Sequence, residues 1–260
     1  MLSVISDMDG VIYRGSRLID GANDFIARMV NDGVKFLFLT NNSEQTPRDL
    51  AQKLAQMGIR NLCEENFITS AMATAMFLRQ QKENATAYVI GGGGLISELY
   101  NVGFTISHHN PDYVVVGKTR TGLSFETLKT AIDLINNGAK FIGTNPDMID
   151  PTSSGNEPAC GVILAAIEAA TGKKPYIIGK PNSLMMMMAA RKLGVHPEES
   201  VMIGDRMDTD IVGGMEAGMR TCLVLSGVTQ QEELDRYPYK PDFVYDSVAD
   251  IDVAAMGGGE

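Results

Sequence analysis

Cysteine is scarce. Cys63, Cys160 and Cys222 are widely separated, odd in number and lack CxxC spacing, which argues against a disulfide framework or a cysteine zinc centre and for a reduced, cytoplasmic setting. Long apolar runs are missing too: nowhere do about 18 apolar residues follow one another, so no membrane-spanning helix is expected. Asp7 and Asp9 interrupt the apolar start early and no basic segment precedes it, so no secretory leader is read there. Positive charge is in deficit, with 22 Lys and Arg against 32 Asp and Glu and a net charge of −10. That balance argues against non-specific nucleic-acid binding, which needs clustered cations. It does not argue against a small phosphorylated partner, because one lysine and one divalent ion can invert the local field. No low-complexity linker or internal repeat stands out. The run Met185 to Met188 lies in a helical segment and reads as flexible core filling. The terminal Gly257 to Glu260 is expected to be a mobile tail.

What the chain does have is an ordinary globular composition, 44% hydrophobic and 21% charged over 260 residues, and a persistent alternation of strand and helix patterns. Val34 to Leu39 reads as a strand, preceded by helical spacing at Phe25, Ile26, Met29 and Val30. Thr46-Pro47 caps and opens a helix carrying Leu50, Leu54 and Met57. Phe67-Ile68-Thr69 is a short strand and Ser70 opens another helix. The runs Tyr176-Ile177-Ile178, Val201-Met202-Ile203 and Cys222 to Leu225 look buried on both faces, as in a parallel sheet covered by helices. Between them lie further strands at Ala87 to Ile90, Tyr113 to Val116 and Lys140 to Gly143, and a helix over Ser124 to Asn136.

The most informative stretch is Asp7-Met8-Asp9-Gly10-Val11 after the apolar Leu2 to Ile5. Side chains two apart on a strand share a face, and two close anions call for a cation or a shared proton. Turn chemistry would also use Asp and Gly. The other strand ends weigh against that reading: Thr40-Asn41-Asn42-Ser43, Gly179-Lys180-Pro181 and Gly204-Asp205 followed by Arg206 to Asp210. Ligands of open parallel sheets bind outside the carboxyl ends of the strands. Hydroxyl, ammonium and carboxylates gathered there suit phosphoryl transfer. A carboxylate can attack phosphorus, acids from two strands can hold Mg2+, lysine and backbone N–H groups can offset charge, and a second acid can serve the leaving group and then water.

The ordered set Asp7-Met-Asp9-Gly-Val, Thr40-Asn-Asn, Gly179-Lys180-Pro and Gly204-Asp205-Arg-Met-Asp-Thr-Asp210 resembles the haloacid dehalogenase superfamily. More narrowly it resembles the NagD and p-nitrophenyl phosphatase-like branch. The resemblance implies a doubly wound parallel-sheet α/β core over 1–83 and 175–260, with an inserted α/β cap over 84–174. It implies Asp7 as nucleophile, Asp9 as acid and base, and Thr40, Asn41 and Lys180 as phosphate contacts. Arg206, Met207, Asp208 and Thr209 would form the loop beside the phosphate. Mg2+ would be held by Asp7, the Asp9 backbone carbonyl and Asp205, with Asp210 orienting that shell. Val11 stands where many relatives carry threonine.

The expected activity is hydrolysis of small phosphate esters, with nucleoside 5'-monophosphates such as UMP first and sugar phosphates or pyridoxal phosphate as alternatives. A non-turnover phosphoryl acceptor is the different-class alternative, and the acid at Asp9 argues against it by predicting hydrolysis. Asn145 and Asp147, in a turn after a strand, are candidates for a cap loop near the substrate. His108 and His109 read as an exposed turn. Gly91 to Gly94 lacks the third glycine of a dinucleotide fingerprint, since Ile96 stands there, and is expected to form a tight strand-to-helix turn. An exposed cap surface would suit a homo-oligomer.

Overall fold

The computed structural model describes residues 2–152 and 155–257, Pro151 and Thr152 by backbone alone; residues 258–260 of the expected tail lie outside the described residues. Two compact units make up the chain: Met1–Thr40, Leu50–Ile68 and Lys180–Glu260 form the first, Asn41–Asp49 and Thr69–Gly179 the second.

The first unit is built on a six-stranded sheet in the order Phe243–Tyr245, Arg220–Val224, Ser200–Gly204, Ser3–Ser6, Phe36–Thr40 and Phe67–Thr69. The pairs from Phe243–Tyr245 through to Phe36–Thr40 are parallel. Ser3–Ser6 and Ser200–Gly204 are buried along their whole length, because a parallel sheet covered on both faces has no wet side on which to place polar residues. One face packs on Ala22–Asn31, which buries Ala22, Phe25, Ile26 and Met29, and on Leu50 and Leu54. Ser183–Leu193 buries Met185 and Met186 but leaves Met187 exposed, so only part of the methionine run fills core. The chain begins at a central strand, runs outward to Phe36–Thr40 and Phe67–Thr69, and later restarts on the other side at Ser200–Gly204. The reversal between Ser3–Ser6 and Ser200–Gly204 leaves a crevice at the carboxyl ends of those two strands.

The second unit has its own five-stranded parallel sheet, in the order Tyr176–Ile177, Lys140–Gly143, Tyr113–Val116, Thr86–Ile90 and Thr105–Ile106. Phe125–Asn136, capped by Ser124, and Cys160–Thr171 cover it, and Val114, Val116, Ala131, Ile135, Ile163 and Ile167 make its core.

Two expectations need adjusting, and two elements add to them. The second unit takes in residues 41–49, 69–83 and 175–179 in addition to 84–174: Ser70–Gln81 packs on Gly93–Asn101, the Gly94 N–H donates to the Glu44 carbonyl, and Tyr176–Ile177 pairs with Lys140–Gly143. Tyr176–Ile178, read with the buried strands of the core, supplies only a two-residue strand paired with Lys140–Gly143, and half of Tyr176 is exposed. A strand at Phe243–Tyr245 and a hairpin of Ile149–Thr152 with Gly155–Pro158 have no counterpart in the sequence reading. Gly91 to Gly94 does form a strand-to-helix turn, and His108 and His109 are exposed.

Candidate active site

Register fixes which strand ends lie level in the first unit. Ser6 pairs with Ile203 on one side and Phe38 on the other, so Asp7, Gly204-Asp205 and Leu39-Thr40 leave the sheet together. The Asp7 N–H still donates to the Ile203 carbonyl at 2.8 Å, and the Ser6 hydroxyl donates to the Asp7 carbonyl at 2.8 Å. These bonds hold the backbone around Asp7 in place just beyond the last paired residue.

Lys180 Nζ lies 2.7 Å from an oxygen of Asp7 and 2.7 Å from an oxygen of Asp210, with its side chain 3% exposed. Asp7, Asp205 and Asp210 each bring an oxygen to within 4.8 Å of the others. Burial works against charge on every member. It raises Asp7 above the usual carboxylate value, opposed by Lys180 and reinforced by Asp9. It raises Asp205 further, helped by Asp210 and Asp7, and pushes Asp210 up to about 6 despite the ammonium. Burial would lower Lys180, but Asp210 and Asp7 outweigh it and hold the amine above the ordinary lysine value.

Three carboxylates against one ammonium leave the buried cluster two charges short of neutrality when all are ionised. Asp210 Oδ1 is fully buried and is met by the Lys180 ammonium at 2.7 Å. An all-oxygen set with unbalanced negative charge fits a hard divalent cation such as Mg2+.

The remaining residues fall into three groups. Thr40 is buried at the end of its strand. Asp9 is exposed and accepts a hydrogen bond from the Tyr13 hydroxyl at 3.1 Å. It is not one of the three clustered acids, because the strand ends at Ser6 and two-residue alternation no longer applies at Asp9. Met207–Ile211 forms a π-helical turn, a form often found at functional sites, with Met207 and Thr209 buried. Arg206 closes the turn's mouth with a two-pronged bond to Asp208, at 3.0 and 2.8 Å.

In the second unit, Asn41 Nδ2 donates to Asp147 Oδ2 at 3.0 Å, while the Asn41 carbonyl accepts from Asn145 Nδ2 at 2.8 Å and the Ser70 hydroxyl at 2.7 Å. Asn145 Oδ1 accepts the Asp147 N–H at 3.2 Å, closing the expected turn. The two loop candidates and Asn41 are thus one network.

Sequence reading missed the segment Ser226 to Thr229, whose Val228 N–H donates to Asp205 Oδ2 at 2.7 Å. The available signal was its position after the strand at Arg220–Val224, a further carboxyl end of the sheet. Burial pushes the Cys160 thiol up to about 11 and the Cys222 thiol up to about 12, which disfavours the thiolate at both.

Comparison with known proteins gives the family and the fold. The family described as haloacid dehalogenase-like hydrolase matches residues 4–105, and the HAD-hydrolase-like family matches 177–251. Dihydroxyacetone phosphatase of Corynebacterium glutamicum is 48% identical over 96% of this chain and 90% of its own length. Ribonucleotide monophosphatase NagD of Escherichia coli is 44% identical, covering 96% of this chain and 98% of that protein. The solved structure of NagD from the K-12 strain superposes with a TM-score of 0.91 at 43% identity, over 97% of this chain and 99% of that one.

Proposed function

The chain belongs to the haloacid dehalogenase-like hydrolases and is a phosphatase of that family, and from that premise we propose a Mg2+-dependent phosphomonoesterase acting on small phosphate esters through an aspartyl-phosphate intermediate. The observation that carries the reading is the buried Asp7–Lys180–Asp210 ion pairing, with Asp205 within reach, at the crevice of a parallel sheet.

Asp7 supplies the attacking oxygen: its bond to phosphorus forms as the bond to the leaving oxygen breaks. Lys180 keeps Asp7 ionised against the cost of burial and offsets charge on the phosphoryl oxygens. Thr40 and Asn41 contribute phosphoryl contacts, as do the N–H groups of Arg206 to Thr209. Asp9, exposed and held by Tyr13, delivers a proton to the leaving oxygen, then takes one from the water that cleaves the acyl phosphate. Asp7, Asp205 and the Asp9 carbonyl would hold Mg2+, which when bound supplies neutralisation of phosphate charge. Asp210, committed to Lys180, orients that arrangement. Free Cys63, Cys160 and Cys222 accord with a cytoplasmic setting.

Nucleoside 5'-monophosphates are the first substrate class, supported by the ribonucleotide monophosphatase at 44% identity. A triose phosphate is the second reading, favoured by the dihydroxyacetone phosphatase at 48%. The test is phosphate release from UMP, dihydroxyacetone phosphate, hexose phosphates and pyridoxal phosphate, with EDTA and with Mg2+ restored. Mg2+-dependent multiple turnover on UMP is expected. Turnover on sugar phosphates alone would overturn the nucleotide reading, and full activity without metal would overturn the Mg2+ assignment.

A further inference from the structure

Asp205 is held from behind by a short segment that no side-chain motif marks. Val228 N–H donates to its Oδ2 at 2.7 Å, and Thr229 N–H donates to its carbonyl at 3.0 Å. The Thr229 hydroxyl accepts the Met207 N–H at 3.3 Å, tying the same segment to the turn that carries Asp210. Gly227 presses so close that a Cβ there would lie 1.9 Å from Asp205 Oδ2. On the other side Gly10, at φ +79°, would bring one to 2.3 Å of the same oxygen. The carboxylate is therefore sandwiched between two bare backbones, with one of its oxygens fixed by an N–H.

The segment is in turn anchored from the surface. Exposed Arg14 donates through one guanidinium nitrogen to the Ser226 and Gly227 carbonyls, at 2.9 Å each. Ser226 Oγ donates to the Gly10 carbonyl at 2.7 Å. Arg14 and Ser226 lie more than 200 residues apart in sequence, yet together they clamp the backbone on either side of Asp205.

We propose that Ser226 to Thr229, braced by Arg14, is a positioning element for the divalent cation: it fixes the rotation of the Asp205 carboxylate so that this ligand is ready before the ion arrives. The inference rests on the metal reading above. Partners that orient a ligand rather than bind the ion are typically worth about 10–100-fold in metal affinity. Arg14 acts through the loop backbone and belongs at the lower end of that range.

The test is calorimetric titration of the metal-free protein with Mg2+, repeated with Mn2+ read by electron paramagnetic resonance. Arg14→Ala should weaken binding about tenfold and leave kcat at saturating Mg2+ unchanged, with Arg14→Lys recovering part of the affinity. Ser226→Ala should shift it in the same direction, and decides the matter if Arg14→Ala does not fold. Affinity equal to wild type in Arg14→Ala and Ser226→Ala, or a loss of melting temperature with no change in affinity, would overturn the positioning role alone. A wild-type protein that binds neither ion would overturn it together with the metal assignment.

Discussion

Each unit contains a parallel sheet whose strand order reverses near its middle, and the two crevices are filled in opposite ways. In the first unit Asp7 and Asp205 flank the reversal, both buried, with Lys180 paired to Asp7. In the second unit the reversal falls between Thr86–Ile90 and Tyr113–Val116, and the strands there end in Gly91 and Gly117. The chain itself plugs that crevice: the Ser43 hydroxyl accepts the Lys118 N–H at 3.0 Å, and the Glu44 carbonyl accepts the Gly94 N–H at 2.9 Å. A Cβ on Gly117 would lie 2.8 Å from Ser43 Oγ. Topology offers a crevice twice, and the one lined with unbalanced charge is the proposed site.

The sharpest way to break that contrast is at Asp7. Asp7→Asn keeps the shape of the side chain and removes the nucleophile, so kcat should fall on the order of 10⁴-fold or more, read as steady-state phosphate release. Asp9→Asn should cripple turnover while the fold stays intact, measured by kcat and circular dichroism together. Near-normal hydrolysis by Asp7→Asn would remove the nucleophile from the proposal.

Lys180→Met comes next. It strands Asp7 and Asp210 as buried carboxylates without their cation, which should cost roughly 3–5 kcal/mol in stability. Loss of the charge facing the phosphoryl group should lower kcat/KM about 10²–10³-fold. Urea denaturation and kinetics on the same preparation read the two effects. Unchanged stability would mean that the ion pairing is not what holds the first crevice together.

A smaller effect is expected in the second unit. Asn145→Ala removes the bond to the Asn41 carbonyl and the acceptor for the Asp147 N–H, a loss of about 1–2 kcal/mol. Asn41 is the chain neighbour of Thr40, so its loosening should reduce kcat/KM about tenfold, by one common factor for all esters, since the phosphoryl group is common to them. A loss confined to one class of ester would instead put Asn145 against the leaving group, as the turn's sequence position suggests.

How legible all this is depends on what kind of group does the work. Continuous apolar runs such as Val201-Met202-Ile203 announce strands buried on both faces, and four reactive segments in strand-end positions announce the cluster of Asp7, Lys180, Asp205 and Asp210. Periodicity does not say which sheet a run joins, so Tyr176–Ile177 could not be placed from its own residues. Phe243–Tyr245 is short and half-exposed, and the hairpin at 149–158 carries proline and acids, so neither offers a strand pattern. The Asp205 clamp is invisible for another reason: its donors are the backbone N–H groups of Val228 and Thr229, which any sequence possesses.

The smallest effect concerns an ion pair far simpler than the buried one. In the second unit Asp112 takes Lys82 Nζ at 2.6 Å and the Thr86 N–H at 2.9 Å. The Lys82 bond, then the Thr86 N–H, hold its carboxyl below the ordinary value of 3.8. A depressed folded-state value means stabilisation that is present above the unfolded value and is lost as pH falls through the folded one. Lys82 is more than half exposed, so solvent screening limits the pair to about 0.2–1 kcal/mol. Asp112→Asn should therefore lower the melting temperature by a degree or two at pH 7, on the order expected for that energy in a chain of this size. The gap from wild type should close below pH 3.8. A gap that persists unchanged into acid would show that the carboxylate's charge contributes nothing, and that Asp112 holds Thr86 by shape and hydrogen bonding alone.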